Sequence, residues 1–448
     1  MQTSGWKGAA WHLLLLLFMP AFFLAAALPS RRRKTLFWGP EPVIGYRDWS
    51  SAVKRLGHAS KTLMSGFYSI NKESDFDLYY TSFVPRFLPH AVRFALGSCL
   101  ALIHVLRRGR IVHMSFLGFI LGRSPFWRFE KALFRLAGIK TVLLPFGGDV
   151  YQYSTLADPT LRHGLLASYP LLARSEWLTA RKVAFWSIHG DVVLASFMID
   201  GIGRWDVTTP HIYIVDTERW QPKQTYSDSD GLTGAVRILH APNHRGVKGT
   251  EFIIEAVEKL KSEGLKVELV LLEKVPNDQI NKVMQDVDIL AEQLVIVAYG
   301  INAMEGMASG LPVLANLDVE FYTRLFRRYA FLNQCPILST THETILENLR
   351  TMVRNPRLRE QLGRAGRAYA ERYHSFATAQ YLFGSIYNRI IDGEEVDLIN
   401  LYHPLLSPYV RSPLQPGHPL VENRLPDDWQ GARPVDLDAS ASWGVTPL

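Results

Sequence analysis

The stretch Tyr299–Leu314, YGINAMEGMASGLPVL, decides the fold class of this chain. Its pattern predicts a tight turn, a short helix, a second glycine and a buried strand. Gly300 suits the turn, because glycine adopts backbone angles that other residues avoid, and Asn302 can cap the helix. Gly310 stands where a helix C-terminus commonly has its glycine. Such alternation of helix and strand is typical of an α/β domain with a parallel sheet.

The turn at Gly300–Asn302 is also a candidate anion site. A helix N-terminus presents free N–H groups and a partial positive charge. Glu305 lies one turn further along, close enough to reach a group attached to that anion, and a phosphate followed by a ribose would fit. From these residues alone, an ordinary loop–helix–strand connection is an equally good interpretation.

A basic loop precedes this stretch in the same half of the chain. Val236–His240 has the pattern of a strand, and the loop APNHRGVKG then leads into an amphipathic helix. Arg245 and Lys248 in this loop can both point at one diphosphate, although a solvated basic loop is the commoner case. Because this loop and the Gly300 turn both follow strands of one parallel sheet, we expect them to face one crevice. Other predicted strands in this half are 266–272, 287–290 and 294–297.

Polar residues also follow predicted strands in the first half of the chain. These strands are Thr35–Gly39, Ile111–Phe116, Thr141–Phe146 and Ile212–Val215. His113 and Asp149 lie near carboxyl ends of such strands, where open parallel sheets bind ligands. Two glycines before Asp149 free the backbone for close approach to a ligand. For His113, a histidine with satisfied hydrogen bonds in the core is the competing interpretation.

Composition limits the possible partners. The 448 residues carry a net charge of +7, which favours an anionic partner such as a phospholipid surface, a phosphorylated substrate or nucleic acid. Nucleic acid is the least favoured of these, because the arginines flank apolar runs instead of forming a solvated patch. The two cysteines, Cys99 and Cys335, exclude a disulfide framework and a zinc pattern. We expect no metal site.

Two apolar segments have arginines at their ends. Ala9–Leu28 is long enough to span a bilayer, and the RRRK sequence at Arg31–Lys34 indicates that the following chain stays cytoplasmic. A cleaved signal peptide and a wrongly assigned start codon are alternatives. Phe83–Arg110 is either a buried helix of the first domain or a helix on an anionic membrane surface, with its arginines on phosphates.

Taken together, these motifs resemble the family-4-type glycosyltransferases, the group 1 glycosyl transferases with the GT-B fold. The matching segments are HAPNHRGVKGTEFIIEAVEKL from His240, VDILAEQL from Val287, YGINAMEGMASGLPVL from Tyr299 and LGRAGRAYAERYHS from Leu362. The resemblance implies an α/β fold of two Rossmann-like doubly wound domains that face a cleft.

The domain ranges follow from the composition and the resemblance together. In order, the predicted segments are 1–34, a hydrophobic anchor or signal-like segment; 35–220, an acceptor domain; 221–234, a linker; 235–391, a nucleotide-sugar donor domain; and 392–448, a Pro-rich tail that is mostly extended.

The resemblance also implies roles for the donor-side residues. Arg245 and Lys248 would hold the diphosphate of the donor and stabilise the departing nucleoside diphosphate. Gly300, Ile301 and Asn302 would approach the phosphates or the sugar. Glu305 would bind the ribose hydroxyls and belong to the catalytic set.

Two departures from the family pattern affect catalysis. Val297 stands where the family usually has a second glutamate, eight positions before Glu305, and Glu292 is a candidate substitute. Phe146 stands where many relatives have a histidine. His113 or Asp149 would then act on the acceptor side.

The resemblance implies a metal-independent, retaining transferase without a cofactor. A nucleotide-diphosphate sugar would be its co-substrate, and a lipid-linked or polysaccharide molecule its acceptor. We expect it at a membrane surface, with cytoplasmic catalytic domains, in the synthesis of cell-surface glycans. The departures leave open a non-catalytic GT-B binding subunit of a transferase complex, and a sugar-nucleotide epimerase is a further alternative.

Overall fold

The computed structural model describes residues 5–68, 71–197, 199–209, 213–411, 414 and 417–429. The chain forms two compact units, each discontinuous in sequence. Unit 1 comprises Met1–Gln152, Ser175–Val207 and Gln380–Leu398, and unit 2 comprises Tyr153–Arg174, Thr208–Ala379 and Ile399–Leu448. The units differ from the sequence-based ranges, because 153–174 packs with the second half of the chain and 380–398 with the first.

Both units alternate strands with helices. The strands are β1 Thr35–Trp38, β2 Ser60–Met64, β3 Leu78–Tyr79, β4 Gly109–Met114, β5 Lys140–Leu143, β6 Val192–Ala195, β7 Val207–Thr208, β8 Val236–His240, β9 Val267–Leu271, β10 Ile289–Gln293, β11 Val313–Ala315 and β12 Leu338–Ser339. The helices are α1 Gly5–Ala27, α2 Gly45–Arg55, α3 His90–Arg108, α4 Phe129–Ala137, α5 Pro159–Ser168, α6 Pro170–Ala173, α7 Glu176–His189, α8 Arg245–Lys248, α9 Thr250–Ser262, α10 Asn277–Asp286, α11 Ile301–Ala308, α12 Glu320–Tyr329, α13 Ile345–Arg354, α14 Pro356–Tyr373 and α15 Phe376–Tyr387.

Unit 1 is built on a seven-stranded sheet in the order β3-β2-β1-β4-β5-β6-β7. The pairs from β3 through β6 are parallel. The first six strands follow the order of a doubly wound nucleotide-binding sheet, whose strand order reverses between β1 and β4. Ligands of such sheets bind beyond the carboxyl ends of the strands at this switch point.

Unit 2 has a five-stranded parallel sheet in the order β12-β11-β10-β8-β9. Numbered within the unit, this is the order 2-1-3-4-5 of flavodoxin-like sheets, whose switch point lies between the first and third strands. Here those strands are β8 and β10, so a ligand is expected near the residues that follow them.

The predicted strands are confirmed in part. Val236–His240 is a strand with the predicted bounds, and Gly310 follows α11 in the left-handed conformation, with φ of 74°. The predicted strands 287–290 and 294–297 are instead one strand, β10, followed by an irregular loop, because side-chain amides take up the backbone of that loop. The prediction of a strand at Ile212–Val215 is wrong for 213–215, which are irregular, and residue 212 lies outside the described residues.

The two apolar segments with terminal arginines form helices that pack on each other in unit 1. By length and composition both could cross a membrane: Gly8–Ala27 has a mean hydropathy of 2.0 and His90–Arg108 of 1.2. In the structure Leu15, Phe22 and Ala26 of α1 are buried in one cluster with residues of α3 and α4. One face of α1 is therefore part of the core of unit 1.

The predicted linker packs on unit 2, and so does the described part of the tail from Ile399 onward, whereas 392–398 belongs to unit 1. From the linker, Tyr226 Oη donates to Gly310 O at 3.0 Å. From the tail, Asn423 is buried, and its Nδ2 donates to Cys335 O at 2.8 Å. Ser339 N donates to Asn423 O at 2.7 Å, which ties the tail to the end of β12.

Candidate functional site

A lysine and a buried glutamate meet at the switch point of unit 2. Lys248 is the last residue of α8, the short helix that follows β8, and Glu292 lies at the end of β10. Lys248 Nζ donates hydrogen bonds to Glu292 Oε1 and to Gln293 Oε1, the latter at 2.6 Å. The side chain of Glu292 is only 1% exposed, so the ammonium group compensates a buried carboxylate.

Gly300 completes this cluster, hereafter the Lys248 cluster (Lys248, Glu292, Gln293 and Gly300). Gly300 N donates to Glu292 Oε2 at 3.3 Å. A Cβ at this position would lie 3.0 Å from Glu292 Oε1 and 3.5 Å from Lys248 Nζ. Glycine is therefore favoured by close approach and not by its backbone angles, since its φ of −97° suits any residue. The predicted meeting of the basic loop and the Gly300 turn is confirmed for Lys248.

The N-terminus of α11 lies directly beside the Lys248 cluster. Gly300 is the N-cap residue, Ile301 begins the helix and Asn302 lies in its first turn. The prediction that Asn302 caps the helix is thus wrong. Its Oδ1 is buried and has no hydrogen-bond partner within the described part of the chain. A buried, unsatisfied acceptor is costly, and a hydroxyl group of a ligand would satisfy it.

Backbone strain precedes the same helix. Ala298 has φ of 90°, a conformation that costs about 1–2 kcal/mol for a residue with a side chain. Its N–H donates to Asn316 O at 2.8 Å, and its O accepts from Gln293 Nε2 at 2.7 Å. Because Gln293 also binds Lys248, the strained turn and the Lys248 cluster form one hydrogen-bonded network.

Glu305 lies on the second turn of α11 and is nearly buried. Its Oε1 accepts a hydrogen bond from Asn277 Nδ2, the first residue of α10, at 2.7 Å. Asn277 is a residue that the sequence analysis missed, because nothing in its local sequence connects it with Glu305. The role of Glu305 as a ribose ligand stays a prediction.

Arg245 is held by other groups than Lys248. Its Nε donates to Glu251 at 2.8 Å and its Nη1 to Glu273 at 3.0 Å. The hydrogen bond with Glu251 and then that with Glu273 raise the pKa of Arg245 above its usual value. Two carboxylates thus meet its charge, and the structure brings Lys248, not Arg245, to the Gly300 turn. The diphosphate role of Arg245 stays a prediction.

His113 lies at the end of β4 and is fully buried. Its ring stacks on Trp38 with a centroid distance of 3.6 Å. Nδ1 lies 3.2 Å from Phe37 O, so it carries the proton, and Nε2 accepts from Tyr387 Oη at 2.9 Å. Burial lowers its pKa to about 3, which keeps the ring neutral. These contacts match a satisfied core histidine, and a catalytic role for His113 stays a prediction.

Asp149 organises the loops at the ends of β4 and β5. Its Oδ1 accepts from Phe146 N at 2.9 Å and Gly147 N at 3.0 Å, and its Oδ2 accepts from Phe116 N at 3.0 Å. Burial raises its pKa to about 6. The structure thus gives Asp149 a backbone-binding role, and its action on an acceptor stays a prediction.

Glu41 is a buried carboxylate at the switch point of unit 1 that the sequence analysis missed. It follows β1, and Ser115, which follows β4, donates from Oγ to Glu41 Oε2 at 3.1 Å. Arg123 Nη2 lies 3.7 Å from Oε1. Burial raises the pKa of Glu41 to about 7. The sequence could have indicated Glu41, because it lies just past the first predicted strand. His113 and Asp149 were chosen as candidates by the same criterion, a polar residue near the carboxyl end of a predicted strand.

Metal-ligating side chains do not cluster in the region that the structure describes. No group of three or more His, Cys, Asp or Glu residues there could hold a metal ion.

Comparison with solved structures identifies the architecture. Sucrose-phosphate synthase from Thermosynechococcus elongatus matches with a TM-score of 0.51 and 11% identity, over 81% of this chain and 100% of that chain. A glycosyltransferase from Rickettsia africae ESF-5 matches with a TM-score of 0.51 and 13% identity, over 82% of this chain and 100% of that chain. The chain has the GT-B fold.

The GT-B fold confirms the predicted fold class, an α/β fold with two sheets. No protein-family model matches the chain, and no curated protein is significantly similar to it in sequence. Identity of 11–13% to solved GT-B proteins shows the fold alone, because one fold carries many activities. The activity therefore has to be argued from the site.

Proposed function

We propose that this protein is a glycosyltransferase that moves a sugar from a nucleoside-diphosphate sugar to an acceptor hydroxyl. The observation that carries the proposal is the Lys248 cluster, in which an ammonium group meets Gly300 at the N-terminus of α11. A lysine and the free N–H groups of a helix suit a diphosphate. The cluster also lies at the switch point, where this type of sheet binds ligands.

In the proposed reaction, the bond from the anomeric carbon to the β-phosphate oxygen breaks, and a bond from that carbon to the acceptor oxygen forms. The electrons of the broken bond stay on the diphosphate, whose added negative charge is stabilised by Lys248 and by α11. The acceptor hydroxyl gives its proton to the departing phosphate. Glu305 accepts hydrogen bonds from the ribose hydroxyls, and Asn302 Oδ1 accepts one from a sugar hydroxyl.

The finer parts of the proposal concern stereochemistry, acceptor and location. The transfer retains the anomeric configuration and needs no metal, because Lys248 and the helix supply the positive charge. The acceptor is lipid-linked or a polysaccharide precursor of a cell-surface glycan. The protein acts at a membrane with its catalytic units on the cytoplasmic side, which the apolar helices α1 and α3 and the arginines at their ends support.

The test is donor binding and turnover by the full-length chain. Calorimetry with a panel of UDP-, GDP-, ADP- and CDP-sugars, in the presence of EDTA, finds the donor, and NMR of the product gives the anomeric configuration. We expect Lys248→Met to weaken donor binding by about ten- to a hundredfold, because a hydrogen bond to a charged group contributes about 1.5–3 kcal/mol. Glu305→Gln should weaken it as well.

Two controls keep this test interpretable. Lys261→Met removes an exposed lysine of α9 that pairs only with Glu258 in the described chain, and it should bind donor like wild type. The double variant Lys248→Met/Glu292→Gln avoids leaving a buried carboxylate without its cation. If no nucleotide sugar binds, or if the Lys248 and Glu305 variants bind as tightly as wild type, the proposed function is wrong.

A second candidate is a donor-binding subunit that does not catalyse transfer. Its specific support is Val297, which is buried where the family usually has a glutamate. This candidate predicts donor binding without turnover, and turnover only when a partner transferase is added. If the sugar changes configuration in acceptor-free buffer, the protein is instead an epimerase.

A further inference from the structure

The outward face of α1 is apolar from Leu13 to Leu24. Its exposed leucines are Leu13 (58% exposed), Leu16 (51%), Leu17 (68%) and Leu24 (60%). These residues recur at helical spacing, so they form one stripe, which Leu28 extends at its end. A helix on the surface of a water-soluble domain normally turns polar side chains to solvent. This stripe therefore lacks its natural covering.

The opposite face of α1 is fixed to unit 1. Leu15, Phe22 and Ala26 are fully buried, and Trp11 Nε1 donates to Ser98 Oγ of α3 at 3.1 Å. Phe23 meets Phe129 of α4 edge to face, with ring centroids 6.4 Å apart. Because α1 is held from Trp11 to Ala26, it stays on the surface of unit 1 as a half-covered helix.

Arginines surround the end of this stripe. A cavity of about 500 Å³ lies where α1 and α3 end, and its lining residues are Pro29, Ser30, Arg31, Arg32, Arg107 and Arg108. Arg107 Nη1 donates to Leu28 O at 2.8 Å, and Ser30 Oγ donates to Arg107 O at 2.8 Å. These bonds lock the two helix ends together, so the cavity is a built feature.

Within the part of the chain that the structure describes, the positive charge in this cavity is not neutralised. No carboxylate in the described residues pairs with Arg31, Arg32 or Arg108. Neighbouring Arg33 is tied to backbone, with Nη2 donating to Ala26 O at 2.7 Å and Nε to Leu106 O at 3.1 Å. Arginine binds phosphate through paired, charge-assisted hydrogen bonds. A phosphate group would therefore complement the cavity.

We propose that the leucine stripe of α1 and this arginine cavity together form a docking surface for an anionic phospholipid bilayer. The helix lies in the plane of the interface, with its leucines in the acyl region and the arginines on headgroup phosphates. Charge complementarity selects this occupant, because a second copy of the chain would bring the same cluster of arginines. The inference extends the proposed membrane association and does not rest on the proposed glycosyl transfer.

The test is co-sedimentation of the full-length chain with vesicles of phosphatidylcholine, with and without phosphatidylglycerol. We expect binding to the anionic vesicles, and weaker binding as salt is added. Arg31→Gln/Arg32→Gln/Arg108→Gln should weaken it on the order of a hundredfold, since each basic residue near a charged surface contributes about fivefold. Leu13→Glu/Leu17→Glu should weaken binding to both kinds of vesicle.

Matched controls separate the surface from general charge and general hydrophobicity. Arg328→Gln/Arg357→Gln/Arg411→Gln removes three exposed arginines of unit 2, and Leu405→Glu/Leu406→Glu alters two exposed leucines of unit 2. Both controls should bind vesicles like wild type. Donor binding should be unchanged in the docking variants, because they leave the Lys248 cluster intact, so failure of this proposal and failure of the proposed function can be told apart.

Two outcomes would overturn the proposal. The first is absence of binding to anionic vesicles, or equal binding by the docking variants and wild type; a dimer that Leu13→Glu/Leu17→Glu dissociates, without vesicle binding, would assign the stripe to a second copy. The second concerns the in-plane orientation. In Ser4→Cys, a position that precedes α1, an impermeant maleimide added outside sealed vesicles should label the new thiol of the bound protein, and protection of this thiol would indicate a spanning helix.

Discussion

Each unit has a buried glutamate at its switch point. Glu41 follows β1 in unit 1, and Glu292 is the last residue but one of β10 in unit 2. Burying a carboxylate is costly unless a cation or hydrogen bonds compensate it. Glu292 has Lys248 for this purpose, whereas Glu41 has the hydroxyl of Ser115 and a more distant arginine. The charge of Glu41 is therefore the less well compensated of the two.

Glu41→Gln is expected to stabilise the protein at neutral and higher pH. Burial raises the pKa of Glu41 from 4.5 to about 7. Since the folded-state pKa lies above the unfolded one, the stabilising contribution of this group is present at low pH and is lost as the pH rises through 7. The full loss is about 3 kcal/mol. Glutamine keeps an acceptor for Ser115 and does not titrate.

The measurement is the free energy of unfolding of the wild type and Glu41→Gln, from below pH 4.5 to above pH 7. The difference between them should grow as the pH rises. Glu255→Gln, at an exposed position of α9, serves as the control and should change stability little. A difference for Glu41→Gln that is the same at every pH would contradict the prediction.

Gly300→Ala tests the close packing of the Lys248 cluster. The new methyl group would lie 3.0 Å from Glu292 Oε1 and 3.5 Å from Lys248 Nζ. We expect a loss of about 1–3 kcal/mol in unfolding free energy, typical of overpacking, together with weaker donor binding. Gly66→Ala is the matched control, because no atom lies within 4 Å of its added Cβ. Equal stability of the two variants would show that the cluster accommodates the methyl group without loss of unfolding free energy.

At the scale of elements, the loop between β10 and α11 shows how side chains override strand propensity. Its sequence, Leu294–Val297, reads LVIV and predicts a strand. Asn316 Nδ2 donates to Leu294 O at 3.0 Å, and Gln293 Nε2 donates to Ile296 O at 3.1 Å. These amides take up backbone carbonyls of the loop, so the chain turns toward α11 instead of extending the sheet.

Ala298→Gly is expected to relieve the strain in this loop. Glycine adopts the φ of 90° without a steric penalty, so the variant should be as stable as wild type or more stable by about 1 kcal/mol. Ala303→Gly, inside α11, should instead lose about 1 kcal/mol through helix propensity. Thermal unfolding of the two variants measures the contrast. A destabilised Ala298→Gly would mean that the backbone conformation of Ala298 costs nothing.

Helix α5, from the first half of the chain, packs against the loop between β10 and α11. Gly164 of α5 approaches so closely that an added Cβ would lie 2.9 Å from Val295 Cγ1 and 3.7 Å from Val247 Cγ1. Likewise, a Cβ added at Gly246 would lie 3.1 Å from Ser168 Oγ of the same helix. The segment Tyr153–Arg174 therefore packs on both loops that lead to the Lys248 cluster, which explains its place in unit 2.

At the scale of the whole molecule, each end of the described chain belongs to a compact unit, α1 to unit 1 and 399–429 to unit 2. The sequence predicts a Pro-rich, mostly extended tail, and Leu398, Tyr402 and Leu420 of this tail are buried. Asn423→Ala should lower unfolding free energy by about 1–3 kcal/mol, because it leaves buried groups without a partner. Asp428→Ala, an exposed change in the same segment, is the control for thermal unfolding. Equal midpoints for the two variants would contradict a structural role for the tail.

Removal of residues 1–34 is expected to damage unit 1. The deletion would expose the surface of α3 and α4 that Leu15, Phe22 and Ala26 cover, and newly exposed apolar area favours aggregation. We expect a lower thermal midpoint and self-association in light scattering. Leu13→Glu/Leu17→Glu, which changes only the outward face of α1, should keep the wild-type midpoint. A stable, monomeric truncated chain would show that α1 adds nothing to the core.

The sequence by itself determined the α/β class, the GT-B fold and the glycine-bounded helix α11. The α/β class and the helix follow from hydrophobic periodicity and turn chemistry, which act between neighbours in the chain. The GT-B fold was implied by the resemblance of the motifs to a known family. It also indicated that Lys248 and Gly300 would meet, because the ends of parallel strands lie at one edge of a sheet.

Only the tertiary structure decided which polar groups became partners. In the structure Arg245 pairs with Glu251 and Glu273, and Lys248 pairs with Glu292. It enclosed His113 between Trp38 and Tyr387, and it buried one face of α1 while leaving the other open. The physical reason is that pairing and burial depend on contacts between residues far apart in sequence, whose geometry the packing of whole elements sets and no local pattern contains.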